Sequence, residues 1–249
     1  MWNAVESVME QNQPKLLLVV VAKAPVPGEV KTRLTPPFTP EEAVVLYRCF
    51  LQDRLAEINN LQGIDLAVSF TPGNARNAFE CLTGNGLKLF PQKGAELGQR
   101  LNNIFIDMLG RDYDAVSIID SDTPDLPGTI VEQSFRILMG NEADAVYGPC
   151  DDGGYYLVGM RRPHPELFED IPWSTRAVLN LTLERARGLG IKTKLLPGWN
   201  DLDTFEDLLD YYGRHKGQPS NQQWAGKNTF NCLSRMQSIR QRFDSIGST

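Results

Sequence analysis

Histidine and cysteine are scarce in this sequence. Only two histidines, His164 and His215, occur in 249 residues, which disfavours a histidine-rich metal site and most serine–histidine hydrolase mechanisms. The four cysteines are scattered singly, without the spacing of a zinc site or the density of a disulfide framework, so free thiols are expected. Carboxylates must therefore carry most of the chemistry.

Long apolar runs and an excess of positive charge are also missing. The apolar run at residues 16–22 is far shorter than the ~20 residues that a membrane-spanning helix needs, and no secretory signal pattern precedes it. We therefore expect no membrane insertion and a cytoplasmic location. A net charge of −6 repels polyanions, so nucleic acid is not an expected partner. The sequence does not indicate an oligomeric state.

What the sequence does contain is a repeated alternation of strand-like and helix-like segments. Residues 15–22 form a continuous β-branched and leucine run, typical of a strand buried on both faces of a parallel sheet. Thr39, Pro40 and Glu42 supply a cap, an N-terminal proline and a capping-box acid, which predict a helix from Pro40. The alternation predicts a single α/β domain with a Rossmann-like, doubly wound, mostly parallel sheet whose ligands bind at the carboxyl ends of the strands.

The expected limits of this domain are residues 15 and 212. Residues 1–14 are interpreted as an N-terminal extension. From Gly213 the composition turns to Gly, Gln, Asn, Lys and Ser, which is typical of a linker, before an amphipathic segment at residues 230–243. Residues 213–249 are therefore interpreted as a linker and a C-terminal helical appendage. Within the domain, a helix over residues 175–189 is expected to begin after a Ser174 cap.

A cationic loop follows the first strand, where an α/β fold places its ligand. Lys23, Lys31 and Arg33 surround Gly28 in an otherwise acidic chain, which suits a diphosphate that needs fixed positive charge and close backbone approach. A solvated basic loop is the alternative. The loop is neither a Walker loop nor a dinucleotide fingerprint.

Two acidic pairs are candidates for binding Mg²⁺ or Mn²⁺. Asp120 and Asp122 follow the predicted strand at residues 115–119, and Asp201 and Asp203 precede a later helix. Carboxylates suit a hard cation that neutralises a leaving diphosphate. An Asx turn at the first pair and an ordinary helix cap at the second are the alternatives. Asp122 is favoured over Asp120 as a ligand.

A glycine-acid turn at residues 151–154 lies next to Tyr155 and Tyr156. Asp152 in this turn is a candidate general base that takes a proton from an acceptor hydroxyl or orients it. The alternative is a simple hairpin turn ahead of a strand.

Together these motifs resemble the DUF2064-type glycosyltransferase family. The matching stretches are AKAPVPGEVKTRL (residues 22–34), SDTPDL (121–126), GPCDDGGYYLVG (148–159), IPWST (171–175) and DLDTFEDL (201–208). The resemblance implies the nucleotide-diphospho-sugar transferase fold, also called glycosyltransferase type A. Small nucleotidyltransferases of this fold often have a GxGxR loop where this chain has KAPVPGEVKTR, which weakens a nucleotidyl-transfer interpretation.

The resemblance, together with the motifs, predicts four groups of site residues. Nucleotide-binding residues are expected to be Ala22, Lys23, Pro25, Gly28, Lys31, Arg33, Gly94, Leu97, Gly98 and Arg100. Catalytic residues are expected to be Asp152, Lys31 and Arg33. Acceptor-binding residues are expected to be Gly153, Gly154, Tyr155, Trp173 and Ser174. Metal ligands are expected to be Asp122, Asp203, Asp120 and Asp201.

The leading hypothesis is transfer of a sugar from a nucleotide-diphospho-sugar to a small-molecule acceptor, assisted by Mg²⁺ or Mn²⁺. One alternative is a nucleotidyltransferase that joins a nucleoside triphosphate to a phosphorylated substrate and releases pyrophosphate. A second alternative is a non-catalytic nucleotide-binding protein that retains the fold.

Overall fold

A computed structural model describes residues 13–83, 87–219, 221–236 and 239. Its strands are β1 (Leu16–Lys23), β2 (Ile64–Thr71), β3 (Lys88–Pro91), β4 (Ala115–Ile119), β5 (Ala145–Pro149), β6 (Tyr155–Met160) and β7 (Thr193–Leu195). Its helices are α1 (Pro40–Ile58), α2 (Arg76–Thr83), α3 (Leu97–Leu109), α4 (Gly128–Met139), α5 (Val178–Gly188), α6 (Phe205–His215) and α7 (Lys227–Leu233). None of these helices is long and apolar enough to cross a bilayer.

The described strands form one sheet in the order β3-β2-β1-β4-β6-β5-β7. All the pairings are parallel except those of β6, which runs antiparallel to both β4 and β5. The predicted α/β fold with a mostly parallel sheet is therefore confirmed. Because β6 runs against its neighbours, it begins at the edge where the other strands end.

Both faces of the sheet are covered by helices, as the apolar first strand indicated. Leu18 and Val20 of β1 pack into the core on the side of α1, α2, α4, α6 and α7. Leu17 and Val19 pack into the core on the side of α3 and α5. Successive side chains of a strand point to opposite faces, so a strand buried on both sides must be apolar throughout.

Local capping sets where two of the helices begin. The Thr39 side chain accepts a hydrogen bond from the Glu42 backbone, while the Glu42 carboxylate accepts one from the Thr39 backbone, which confirms the predicted capping box. Thr204 and Asp207 make the same pair of bonds at the start of α6.

The predicted Ser174 cap is wrong. Ser174 has a left-handed backbone with φ 64°, and α5 begins four residues later at Val178, with Ala177 as a cap that lacks a side-chain bond. The Thr175 hydroxyl donates instead to the carbonyl of Pro172. The chain therefore turns through residues 172–177 before it enters the helix.

The C-terminal segment packs against the domain. The predicted domain limits at residues 15 and 212 stay predictions, but α6 crosses residue 212 and α7 packs on α1. Leu233 of α7 is fully buried in the same core as Phe50 of α1. Residues 1–12 of the predicted extension, and residues 220, 237–238 and 240–249 of the predicted linker and tail, lie outside the described residues.

Asp53 of α1 joins these two helices. Its carboxylate accepts hydrogen bonds from the backbone amides of Asn228 and Thr229, at 2.9 and 2.7 Å. These amides belong to the first turn of α7, where the helix leaves its N–H groups without internal partners. Asp53 thus caps α7 from another helix.

Replacing Asp53 tests this cap. We expect Asp53→Ala to lower the free energy of unfolding by about 2 kcal/mol, because buried amides of α7 lose their acceptor. Chemical denaturation monitored by circular dichroism measures the change. The matched control is Gln52→Ala, an exposed neighbour on the same helix, which should have almost no effect. Equal stability of the two variants would contradict the role of Asp53.

Candidate functional site

Two adjoining cavities open at the carboxyl edge of the parallel strands. The first, here named the loop cavity, has a volume of about 450 Å³ and lies between the loop after β1 and the turn after β4. The second, here named the aromatic cavity, has a volume of about 200 Å³ and lies between β4, β6, α3 and the chain that enters α5. Val21, Leu97 and Asp120 line both cavities.

The loop cavity collects most of the residues predicted to bind the nucleotide. Ala22, Lys23, Lys31, Arg33, Leu97 and Arg100 line it. Pro25, Gly28, Gly94 and Gly98 are not among its lining residues. Arg100 donates to the carbonyls of Gly94 and Ala95, so it braces the loop ahead of α3.

Lys31 lies between two of the four predicted metal ligands, Asp122 and Asp203. Its ammonium is 2.8 Å from Asp122 Oδ1, 2.8 Å from Asp203 Oδ1 and 2.9 Å from the Leu202 carbonyl. Its side chain is only 4% exposed. An ammonium has three donors, so these contacts use all of them. Lys31 therefore links the loop after β1 to the turn after β4 and to the loop before α6.

The ion pairs of Lys31 with Asp122 and Asp203 keep Lys31 and Asp203 charged. Burial alone would lower the pKa of Lys31, but the carboxylates of Asp122 and Asp203 raise it above its ordinary value. Burial alone would raise the pKa of Asp203, but Lys31 and Arg33 hold it below its ordinary value. Lys31 also has a left-handed backbone with φ 49°, which is uncommon for residues other than glycine. The contacts of the Lys31 ammonium with Asp122, Asp203 and the Leu202 carbonyl, here named the clamp, keep this strained conformation in place.

Asp120, two residues before Asp122, is held by a buried network of hydrogen bonds. Its Oδ1 accepts hydrogen bonds from the Thr123 hydroxyl at 2.7 Å and from the Asp122 amide at 3.1 Å. Arg54, fully buried, donates to Thr123 Oγ1 and to the Leu126 carbonyl. Burial and the charge of Asp122 raise the pKa of Asp120 to about 7.

Arg54 supports the turn after β4 from inside the core, and sequence reasoning missed it. It lies on the apolar stripe of α1, four residues after Phe50 and four before Ile58, both of which are buried. A charged residue on a core-facing stripe must find partners inside the protein, which is a signal that the sequence does contain.

Asp125 was also missed by sequence reasoning, and it holds the chain that leads into the second acidic pair, Asp201 and Asp203. It accepts hydrogen bonds from Trp199 Nε1 at 2.9 Å and from Arg214 at 3.3 Å. The Leu202 amide donates to the Asp122 carbonyl at 2.9 Å. Together these bonds hold residues 199–203 against the turn after β4.

The glycine-acid turn joins β5 to the antiparallel β6, so it is a hairpin turn that also reaches the site. Asp152 Oδ1 accepts from the Gly154 amide at 2.7 Å, as in an Asx turn. Gly153 has φ 90°, and a side chain there would lie 2.2 Å from the Arg176 carbonyl. Its role is therefore close packing against the chain that enters α5.

The aromatic cavity collects the other predicted acceptor residues. Gly154, Tyr155, Trp173 and Ser174 line it, whereas Gly153 does not. The Trp173 ring stacks on Phe168, with ring centres 6.5 Å apart, and meets Tyr155 edge-on. Gly98 allows this arrangement, because a side chain there would lie 2.6 Å from Trp173 Nε1.

The four predicted metal ligands do not form one donor set. Asp122 and Asp203 share Lys31, while Asp201 lies with Asp152 and Cys150, whose potential ligand atoms are all within 4.8 Å of one another. Burial, together with Asp203 and Asp152, raises the pKa of Asp201 to about 7. Burial and nearby carboxylates also raise the pKa of Cys150, so its thiol stays neutral. A hard cation would therefore use the carboxylates of this group.

Comparisons with known proteins identify the family and the fold of the chain. A family model described as "uncharacterized protein conserved in bacteria" (DUF2064) matches residues 54–175. A candidate nucleotide-diphospho-sugar transferase from Desulfovibrio desulfuricans G20 is 31% identical, and its crystal structure superposes with a TM-score of 0.84 over 92% of this chain and 98% of its own. The chain belongs to the DUF2064 family.

More distant structures share the fold of this DUF2064 chain. CMP:2-keto-3-deoxy-manno-octonic acid synthetase, complexed with CTP, is 14% identical, with a TM-score of 0.55 over 82% of this chain and 100% of its own. A cytidylyltransferase from Leptospira borgpetersenii is 14% identical, with a TM-score of 0.54 over 91% of this chain and 96% of its own. The search of curated proteins gave no match.

Removing the Lys31 ammonium tests the clamp. We expect Lys31→Met to lower the free energy of unfolding by about 2 kcal/mol, because two partly buried carboxylates lose their shared cation. Mg²⁺ should raise the melting temperature of this variant more than that of the wild type, since a divalent cation can replace the ammonium. Thermal denaturation with and without Mg²⁺ measures both effects.

The control for the clamp is Lys23→Met, which removes the same charge from an exposed side chain bonded to the Glu29 carbonyl. It should change stability by less than about 0.5 kcal/mol. Similar stability of the two lysine variants would show that Lys31 does not hold the loops together.

A second test concerns the contact between Gly98 and Trp173. Gly98→Ala should cost about 1–3 kcal/mol, because the new methyl group pushes the indole away from α3. Near-ultraviolet circular dichroism should show the displaced tryptophan. Gly188→Ala, at a helical glycine with open space around it, is the control and should be neutral or slightly stabilising. A normal tryptophan signal in Gly98→Ala would overturn the packing argument.

Proposed function

We propose that this protein transfers a sugar from a nucleotide-diphospho-sugar to a small-molecule acceptor with the help of Mg²⁺ or Mn²⁺. The donor's diphosphate lies in the loop cavity, and the acceptor lies in the aromatic cavity. A cytoplasmic location remains part of this proposal.

The pairing of two cavities with different chemistry carries the proposal. The loop cavity offers Lys23, Arg33 and Arg100, cations that can face a diphosphate. None of the described residues that line the aromatic cavity is a lysine, an arginine or a histidine. The two cavities meet at Asp120, so a donor and an acceptor can lie side by side there.

The contacts of the two loop cations, Lys31 and Arg33, support different proposed roles for them. Arg33 is 66% exposed and makes one ion pair, with Asp203 at 3.3 Å. It can turn towards a phosphate at little cost, so we assign it to the donor diphosphate. Lys31 has no donor left for a ligand while it holds Asp122 and Asp203. Its proposed role is therefore to position the two aspartates.

Asp152 and Asp201 are the residues that would hold a divalent cation in this arrangement. Their carboxylate oxygens lie close together, and hard oxygen ligands are what Mg²⁺ and Mn²⁺ prefer. When bound, such an ion neutralises the negative charge that develops on a departing diphosphate. Asp120, Asp122 and Asp203 stay proposed metal ligands, and Asp122 and Asp203 would have to be released from Lys31 to reach an ion.

The relatives support a transferase. The Desulfovibrio protein, described as a candidate nucleotide-diphospho-sugar transferase, matches almost the whole chain. The cytidylyltransferases share only the fold, so nucleotidyl transfer remains the competing hypothesis.

Donor binding and turnover test the proposal directly. We expect a nucleotide-diphospho-sugar to raise the melting temperature in the presence of Mn²⁺ and to release its nucleoside diphosphate on incubation. A shift with triphosphates only, together with isotope exchange between pyrophosphate and the triphosphate, would replace glycosyl transfer by nucleotidyl transfer. Binding without turnover of either kind would leave a non-catalytic nucleotide-binding protein.

A variant separates donor binding from folding. Arg33→Gln should weaken binding of the diphospho-sugar about 10-fold or more, because a charge-assisted bond is lost, while the melting temperature of the free protein stays the same. Isothermal titration measures the affinity. Arg48→Gln, an exposed residue on α1, is the control. Equal affinity of both variants would remove Arg33 from the donor site.

A further inference from the structure

We propose that Cys49 of α1 and Cys232 of α7 form a site of reversible oxidative modification, at which hydrogen peroxide converts the two thiols into a disulfide that fixes α7 on α1. All four cysteines are free thiols in the structure, as the sequence predicted. The site goes beyond the proposed function, because it needs neither a nucleotide nor a sugar acceptor.

The register of α1 and α7 is the first argument. Asp53 of α1 accepts hydrogen bonds from the backbone and side-chain nitrogens of Asn228, both at 2.9 Å. Cys49 lies four residues before Asp53 on α1. Cys232 lies four residues after Asn228 on α7. Residues four apart lie on the same face of a helix, one turn from each other. The two cysteines therefore lie on the facing surfaces of the helices, next to the Asp53 cap.

Direct contact between the two thiols is the second argument. The Cys49 thiol donates a hydrogen bond to the Cys232 sulfur, although the two residues are far apart in the sequence. A disulfide requires Cα atoms within about 7 Å of each other and Cβ atoms that point towards each other. Short side chains whose ends touch across two packed helices suit this requirement. Both residues are half-buried, which leaves them open to a reagent as small as hydrogen peroxide.

The electrostatic difference between the two thiols is the third argument. The hydrogen bond from Cys49 and the positive charge of Arg235 lower the pKa of Cys232, despite its partial burial. The same hydrogen bond, burial and the charge of Asp53 raise the pKa of Cys49. The thiolate is the form that attacks an oxidant. Cys232 is therefore the attacking residue, and Cys49 is the residue that resolves its oxidised form.

The reaction balances with hydrogen peroxide as the oxidant. The Cys232 thiolate attacks one peroxide oxygen, the O–O bond breaks, and the departing hydroxide takes up a proton to become water. Cys232 is then a sulfenic acid. The Cys49 sulfur attacks the Cys232 sulfur, the S–O bond breaks, and the hydroxide leaves as water with the Cys49 proton. Two electrons and two protons thus pass from the thiols to the peroxide.

The disulfide would strengthen the joint between α7 and the domain. With only seven residues, α7 is too short to be stable alone, so it depends on its packing against α1. A covalent bond between the helices keeps α7 in place and also restricts the unfolded chain. We therefore expect oxidation to raise the melting temperature by about 5 °C or more.

Peptide mapping of the full-length protein tests the modification. The reduced protein is freed of reductant, treated with hydrogen peroxide, digested without reductant and analysed by mass spectrometry. We expect a linked pair of peptides that contains Cys49 and Cys232 and that separates on treatment with dithiothreitol. The melting temperature of the treated protein should rise as stated and return to its first value with dithiothreitol.

Serine variants locate the effect. Cys49→Ser and Cys232→Ser should both lose the rise in melting temperature. The matched control is Cys81→Ser, which removes an exposed cysteine of α2 and should form the same disulfide as the wild type. In Cys49→Ser the sulfenic acid at Cys232 cannot be resolved, so dimedone should label it. Cys49 in Cys232→Ser should be labelled at least about 10-fold more slowly, because its thiol stays protonated.

The peptide map of the wild type decides the inference even if a serine variant fails to fold. The inference is overturned if no peptide pair links Cys49 to Cys232, or if the pair forms without a rise in melting temperature. Loss of the rise in Cys81→Ser, or equal labelling of the two other variants by dimedone, would also contradict it. These outcomes leave glycosyl transfer untouched, because donor binding and turnover are measured separately.

Discussion

The site depends on one buried ammonium. Lys31 contacts two carboxylates and a carbonyl that come from two different loops, and it does so from a third loop with a left-handed backbone. Loops at the edge of a sheet have few apolar contacts to hold them, so a charge shared among them decides their arrangement. Around this clamp, Asp125 and Arg54 fix the backbone on which the site aspartates lie.

The same clamp explains how so many acids can lie together. Asp120, Asp122, Asp152, Asp201 and Asp203 are near one another, whereas Lys31, Arg33 and the buried Arg54 are the cations that interact with members of this group. Burial and the neighbouring carboxylates raise the pKa values of Asp120 and Asp201 to about 7, well above the ordinary value for an aspartate. A group of this kind gains most from a ligand that brings positive charge. A divalent cation that arrives with a diphosphate meets this condition.

The sequence predicts the fold well because burial on both faces leaves a clear pattern. The apolar run of β1 and the capping box of α1 both depend on neighbours close in the chain.

Ser174 was wrongly predicted as a helix cap because its left-handed conformation has no signature in its residue type. The packing of α7 on the domain was not predicted, because the residues before α7 have the polar composition of a linker. The contact of Lys31 with Asp122 and Asp203 spans 91 and 172 residues, so no local pattern could reveal it. Arg54 could have been found as a charge on an apolar stripe.

The single antiparallel strand explains why the site has two compartments. A parallel strand at the position of β6 would begin at the opposite edge and would need a crossover helix to reach its neighbour. The hairpin from β5 instead brings Asp152 and Tyr155 to the edge where β1 and β4 end. Acid and aromatic side chains therefore lie beside the cationic loop after β1 without a helix between them. One change of strand direction thus lets the loop cavity and the aromatic cavity share lining residues, which is the arrangement that the proposed transfer between two substrates requires.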